Sequence, residues 1–342
     1  MNSLNIFFAA KNTVETHTVP IAPPKAGQLL IETRSSVIST GTECIALSGN
    51  FAAGTHWDNW VKYPFQNGYL NAGIVVEVGE GVEGFAVGDR VASRAHHHQY
   101  VLADANRAIK IPEGVSEEDA AWFGLACIVQ IGVRRTQHEL GDSVVVIGAG
   151  LLGQLTVQYL RLSGAKEIIV VDTAQSRLDL AAAHGATRTL AMPVQDVKES
   201  VLEATDGRGA DVVYDITGHP AVFSPALGLA RRFGKLLLLG DAGRPEEQRL
   251  TSDVITRGVQ IIGSHDGYPI AQDNEYFHWT HTNMARLFFT YLERGQMNVS
   301  DLVTHRYSPK QAAEAYEMLL TDRSKAMGVV FDWTQMKSKK HE

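Results

Sequence analysis

Three consecutive histidines, His96, His97 and His98, stand in the stretch SRAHHHQYV, in a chain whose only thiols are Cys44 and Cys127. Imidazole ligates metals and titrates near neutrality, so the run raises two chemistries, metal binding and proton transfer. Along an extended segment alternate side chains leave on opposite faces, which puts His96 and His98 together and His97 on the other side. Two imidazoles need a third ligand, for which Glu43, Cys44 and His56 are available. Structural or exposed histidines are the plain alternative.

A second pattern, VVVIGAGLLGQL, sets Gly148, Gly150 and Gly153 in a G-x-G-x-x-G spacing between an apolar strand and a helix start. The first glycine permits a tight turn, the second lets backbone approach a pyrophosphate, and the third allows close helix–strand contact. Helix opening at Leu151 and Leu152 offers unpaired N–H groups to phosphates. About 20 residues on, EIIVVD ends in Asp172, which can accept hydrogen bonds from ribose hydroxyls and would repel a 2′-phosphate. That favours NAD(H) over NADP(H), whereas Arg177 just beyond pulls the other way.

The elements around these residues fall into two textures. Residues 1 to about 115 carry short β-like runs punctuated by glycine, such as GQLLIETRSSVIS, AGIVVEVGEGVEGFAVGDRVA and QYVLADANRAIKIP, and read as a barrel-like β domain. Pro112 and EGVSEEDAA mark a turn and a helix start with Ser116 as N-cap. Beyond it, strand candidates at 143–147, 167–171, 211–215, 235–239 and 259–262 alternate with helical stretches, which implies a parallel sheet covered on both faces. A helix is expected around 283–294 and a closing strand in AMGVVFDW. The fold class is α/β, in three segments: a β-rich domain over 1–120, a doubly wound parallel sheet over 121–265, and a return over 266–342 that completes the first domain.

Composition narrows the partners. A net charge of −7, from 31 basic and 38 acidic residues, leaves no electrostatic footprint for nucleic acid or an anionic membrane. Two cysteines exclude a disulfide framework and suit a reducing cytoplasm. The opening MNSLNIFFAAKN lacks a basic leader region and reads as a first strand, and KSKKHE at the other end reads as a solvated tail. No segment approaches the roughly 20 apolar residues that span a bilayer.

Taken together, GTE at 41–43, the two long glycine-punctuated strand segments, the glycine fingerprint and THRYSPKQAAEAYEMLL resemble the medium-chain dehydrogenase/reductase superfamily, the zinc alcohol dehydrogenases and their zinc-free relatives. LLTDRSKAMGVVFDW resembles a branch grouped with hydroxyethyl-bacteriochlorophyllide dehydrogenase-like proteins, whose pigment substrate is not carried over. The resemblance implies a GroES-like catalytic domain, a Rossmann NAD-binding domain, and cofactor contacts at Thr217, Gly218, Gly240 and Ser264 in addition to the fingerprint. It also implies a homodimer or homotetramer, often joined through the last strand of the nucleotide sheet, here GVQIIGSH.

The same resemblance locates where zinc ligands would be. The first falls on Thr40, the second on Tyr69 in GYLNAG, and the third near Phe123 or Gly124, with Cys127 about one turn too late. The cysteine-rich lobe for structural zinc is absent after GDRVA. Threonine, tyrosine and glycine do not make a zinc site, so no metal is expected. Thr42 occupies the position of a hydroxyl that touches substrate in zinc alcohol dehydrogenases, and the usual relay histidine is Ile45. Tyr69 or one of the three histidines is then the acid/base, with Lys62 behind them, although Tyr69 could equally be a packed aromatic.

Residues 51–68 place His56, Trp57, Asp58, Asn59 and Lys62 in a stretch that borders the active site in such proteins, and 275–286 adds Trp279. Aromatic faces beside Asp, Asn and Lys suit a sugar, polyol or cyclitol, while packing of the tryptophans is the plain reading. The leading expectation is a zinc-independent, NAD(H)-dependent alcohol dehydrogenase or ketone reductase. A zinc-free quinone or enoyl reductase and a non-catalytic NAD(H)-binding redox sensor are the alternatives.

Overall fold

The described residues form three sheets, two in one unit and one in the other. The computed structural model describes residues 1–270, 272–324 and 326–336; the KSKKHE tail lies outside them. One unit comprises residues 1–50, 58–124 and 278–342, and the other residues 51–57 and 125–277. The divisions thus fall at 124/125 and 277/278 rather than at 120 and 265, and the short stretch 51–57 joins the second unit.

In the second unit, six parallel strands run in the spatial order Arg188–Ala191, Glu167–Asp172, Ser143–Ile147, Ala210–Asp215, Ala230–Leu238 and Gln260–Gly263. The central strand, Ser143–Ile147, is buried throughout because helices such as Leu151–Leu162 and Gln175–His184 connect its neighbours. Val145, Ile169, Val213 and Leu236 from four adjacent strands form the heart of this core. Arg188–Ala191, which the apolar pattern does not announce, is an edge strand with no fully buried residue. At the opposite edge, Gln260–Gly263 leaves Ile261 38% exposed.

The first unit begins with the strand Asn2–Ala10, paired on either side by Thr13–Pro20 and Phe65–Gln66. A larger sheet is centred on Gln28–Val37, which pairs antiparallel with Asn71–Val78, Tyr100–Asp104 and Gly328–Asp332. The last of these brings the C-terminal segment into the sheet, with Val330 opposite Val37. Leu29, Ile31, Val75, Val91 and Val101 fill the space against it. Ser116 caps the helix Glu117–Ala120, its Oγ accepting from the Asp119 amide at 3.0 Å.

At the heart of this unit lies a buried carboxylate, Glu43, on the helix Thr40–Ser48. Four donors converge on it. The Ser39 amide donates to Oε1 at 2.7 Å, and Asn67 Nδ2, His97 Nε2 and the Tyr316 hydroxyl donate to Oε2, the first two at 3.3 and 3.1 Å. The chain of bonds continues behind His97: Trp333 Nε1 donates to Ser36 Oγ at 2.8 Å, leaving that hydroxyl to donate to His97 Nδ1 at 2.8 Å. Segments from residues 36 to 333 therefore meet at one side chain. Gly68 makes room for the imidazole. It sits at φ +83°, and a Cβ there would lie 2.5 Å from His97 Cδ2.

Removing the Glu43 carboxylate takes the acceptor from all four buried donors. Glu43→Ala should therefore lower stability by about 3 kcal/mol, read as the shift in the urea midpoint of the transition that melts this unit. A loss under about 1 kcal/mol would mean that the network is peripheral to folding.

Candidate functional site

The glycine fingerprint folds as its spacing requires. Gly148, at φ +100°, turns the chain out of the strand Ser143–Ile147, and a Cβ on Gly153 would come within 2.1 Å of the Gly148 carbonyl oxygen. Nothing lies within 4 Å of a Cβ built on Gly150, so the backbone there is open to a ligand. The helix Leu151–Leu162 starts at this point, with Leu151 and Leu152 in its first turn. A pyrophosphate therefore fits this cradle.

Asp172 closes the neighbouring strand Glu167–Asp172 and is tied to the same loop. Its Oδ2 accepts from the Ala149 amide and its Oδ1 from the Ala174 amide, at 2.8 and 2.9 Å. These bonds fix the carboxylate at the carboxyl end of the sheet and leave lone pairs for hydroxyl donors. Arg177 contributes a carbonyl that accepts from Gln154 Nε2 at 2.8 Å.

Further along the sheet, Thr217 donates its hydroxyl to Asp215 Oδ1 at 2.7 Å. Gly218 and Gly240 are in close backbone contact: a Cβ on Gly240 would lie 2.4 Å from the Gly218 nitrogen. A cavity of about 400 Å3 opens beside them, lined by His56, Gly240, Asp241, Ser264, His265 and Tyr268 among others. Four of the predicted residues of the second unit, His56, Gly240, Ser264 and the adjoining Gly218, are thus gathered at the carboxyl ends of its strands, where open parallel sheets bind ligands.

Asp241, His265 and Tyr268 escaped the sequence reading. Burial pushes the Asp241 carboxyl up, against the opposing pull of His56 and His265. The rings of His56 and His265 meet edge to face at 5.3 Å. Asp241 and His265 have one sequence signal, adjacency to Gly240 and Ser264, and Tyr268 has none.

In the first unit the three histidines separate. They lie in the loop between Arg90–Ser93 and Tyr100–Asp104, with His98 bridging to Asn5. His96 is exposed and its Nδ1 donates to the Gly68 carbonyl at 2.9 Å; its ring stands 5.6 Å from that of His98. Alternation of faces therefore holds outside a regular strand.

Two of these residues require correction as acid/base groups. His97 has no exposed surface and both its ring nitrogens are engaged, so it is a packed partner of Glu43 and cannot touch a substrate. Desolvation brings the His98 imidazole down to about 3, so it stays neutral at any working pH. Nor does Glu43 join His96 and His98 as a ligand, since its contacts lie with His97. Cys44 is buried and its thiol is pushed up to about 12. Among the described residues no group of three or more His, Cys, Asp or Glu could hold a metal ion.

Tyr69 and Thr42, by contrast, are brought together. The Tyr69 hydroxyl donates to Ser39 Oγ at 2.7 Å, and the Thr42 side chain is near enough to help hold the phenol's pKa down. Burial pushes the phenol up, against these hydrogen bonds and the charge of Arg94. Ser39, which the sequence reading missed, immediately precedes the TGTE segment. The positions that would carry zinc ligands hold a threonine at 40, this phenol at 69 and no side chain at 124, a donor set that does not fit zinc.

The remaining residues are dispersed. Asp58 and Lys62 pair across one helical turn at 3.6 Å, and Asn59 is exposed beside them. Trp279 is 38% exposed and packs edge to face on His278. Trp57 is only 5% exposed, which corrects its assignment as a substrate platform: it is a core residue.

Comparison with known proteins gives this geometry a context. A family model for the alcohol dehydrogenase GroES-like domain matches residues 25–113, and one for zinc-binding dehydrogenases matches residues 152–279. L-threonine 3-dehydrogenase of Paraburkholderia xenovorans (strain LB400) is 26% identical over 316 residues, covering 81% of this chain and 86% of that relative. Among solved structures, a zinc-binding dehydrogenase of Sinorhizobium meliloti 1021 bound to NADP superposes with a TM-score of 0.81 at 22% identity, over 97% of this chain and 99% of the other. A short chain alcohol dehydrogenase of Escherichia coli CFT073 complexed with NADH gives 0.80 at 22% identity, with the same coverage. With both portions of the chain matched and the likeness running through nearly its whole length, this protein belongs to the medium-chain dehydrogenase/reductase superfamily, as a nicotinamide-dependent oxidoreductase of the zinc alcohol dehydrogenase-like type.

Proposed function

We propose that this chain is an NAD(H)-dependent, zinc-independent dehydrogenase that interconverts a secondary alcohol, of the sugar, polyol or cyclitol class, and its ketone. The observation that carries the reading is the Tyr69 hydroxyl, held 2.7 Å from Ser39 Oγ at a position where zinc-dependent relatives have a metal ligand. A nicotinamide cofactor supplies two-electron transfer at the carbinol carbon, and the protein orients the alcohol and moves its hydroxyl proton.

Tyr69 is suited to that proton. A raised pKa keeps the phenol protonated near neutrality, as a donor to a ketone oxygen that is becoming a hydroxyl. In the opposite direction the alcohol O–H breaks as the Tyr69 O–H forms, which needs the ionised phenol and is favoured at higher pH. Thr42 is the partner that orients the substrate oxygen. His96 is the less suitable proton donor, because it bonds to the Gly68 carbonyl and packs against His98.

Asp172 supports NAD(H), because its fixed carboxylate would repel a 2′-phosphate. Exposed Asn59 and the Asp58–Lys62 pair support a polyhydroxylated substrate, whose hydroxyls need such partners. The half-open edge strand Gln260–Gly263 supports pairing of two copies. Among the described residues no helix is long and apolar enough to cross a membrane.

Three measurements test this reading. Elemental analysis of untagged protein, purified without chelator, should find less than about a tenth of a zinc per chain; near one zinc would restore metal-polarised catalysis. Asp172→Ala should weaken NADH binding about tenfold and narrow the gap to NADPH, and an unchanged preference in calorimetric titrations would misplace the ribose contact. On an NAD-linked polyol and cyclitol panel, Tyr69→Phe should reduce kcat about a hundredfold or more while NADH affinity stays within about twofold. Full turnover would return Tyr69 to packing.

A further inference from the structure

The place that a metal would take in this site is bordered by a charged side chain of the chain itself. Arg94 follows the strand Arg90–Ser93, two residues before the histidine run. Its guanidinium carbon lies 5.6 Å from the centre of the Tyr69 ring and 5.6 Å from the centre of the Phe123 ring. Nη2 donates to the Gly124 carbonyl at 3.3 Å. A Cβ at position 124 would stand 2.3 Å from Leu70 Cδ2, 3.2 Å from the guanidinium carbon and 3.3 Å from Nε, so glycine there makes room first for Leu70 and leaves the arginine closely packed beside it. Positions 69, 123 and 124, two of the three places where zinc ligands would stand, thus enclose a cation that cannot be deprotonated.

We propose that Arg94 is the positioning residue of the proton-transfer site, a fixed cation that acts through Tyr69 in the place of a metal ion. The proposal rests on the reading of Tyr69 as the acid/base. A guanidinium over an aromatic face is attracted to the ring, and more strongly when the phenol has lost its proton. It therefore favours the ionised phenol that accepts the alcohol proton, without itself gaining or losing one. Other groups that face Tyr69 are Ser39 and Thr42, whose hydrogen bonds favour ionisation, and Glu43, whose charge opposes it. Burial opposes it most strongly, and among the described residues Arg94 is the one positive charge acting on the phenol in the other direction.

The decisive experiment follows Tyr69 directly. Protein carrying 3-fluorotyrosine at position 69 is titrated by fluorine NMR, in the parent and in Arg94→Gln and Arg94→Lys backgrounds. Arg94→Gln should move the midpoint up by about one pH unit, the size expected for losing a charge some 6 Å away after allowance for solvent screening. Arg94→Lys, which keeps the charge, should recover at least half of that shift. The pH profile of alcohol oxidation should move the same way, its rising limb shifting to higher pH in Arg94→Gln. Thermal unfolding and NADH affinity identify any variant that has simply lost its fold.

An unmoved fluorine midpoint in folded Arg94→Gln overturns the proposal, whether or not Tyr69 transfers protons. A shift of equal size in both Arg94 variants also overturns it, because shape rather than charge would then be the cause. A moved midpoint together with full turnover by Tyr69→Phe overturns the acid/base reading instead, and with it the catalytic part of this proposal.

Discussion

A carboxylate with almost no solvent contact is the constraint around which the first unit is arranged. An isolated buried charge is unstable, so Glu43 is tolerable only because an amide, an indirectly anchored imidazole, a carboxamide and a phenol all point at it. Those donors come from residues 39, 97, 67 and 316, far apart in the chain. The C-terminal segment contributes Tyr316 directly and Trp333 through Ser36. Apolar packing brings these segments together without specifying how they align; the carboxylate admits one arrangement.

That arrangement extends to the site. Ser39 gives its amide to Glu43 and takes the Tyr69 hydroxyl proton on its own Oγ. One residue therefore links the buried anion to the phenol proposed as acid/base. The link also explains why burial is compatible with chemistry here: the groups that hold Tyr69 are held in turn, so its hydroxyl has little freedom to turn away. On the nucleotide side the same principle operates with different parts, as Asp172 is fixed by two backbone amides, one of them inside the glycine loop.

The parallel sheet was legible because strands covered on both faces read as unbroken apolar runs, as in Ser143–Ile147. Arg188–Ala191 was not legible, since an edge strand needs no such run. Side-chain alternation gave the pairing of His96 with His98, but sequence could not say which face pointed inward. That was decided by Glu43, Ser36 and the space above Gly68, all distant in sequence. The tryptophans divided for a similar reason: nothing local distinguishes buried Trp57 from exposed Trp60, three residues on. Arg94 lies two residues before the histidines and nothing local marks it, because its partners, Tyr69 and residues 123–124, come together only in the fold.

A guanidinium and a zinc ion are not equivalent substitutes, and the difference shapes the chemistry. Zinc binds the substrate oxygen as a ligand and so both orients it and lowers its pKa. Arg94 cannot act as a Lewis acid, and its charge reaches the phenol across a ring face rather than through a bond. Orientation must then come from hydroxyls, which is the part that Thr42 and Ser39 are placed to play around Tyr69. With burial raising the phenol and the guanidinium restraining that rise, the protonated form prevails near neutrality. On the proposed reading the protonated phenol is the donor in ketone reduction and must ionise before it accepts a proton from an alcohol, so oxidation is the direction that should gain as pH rises.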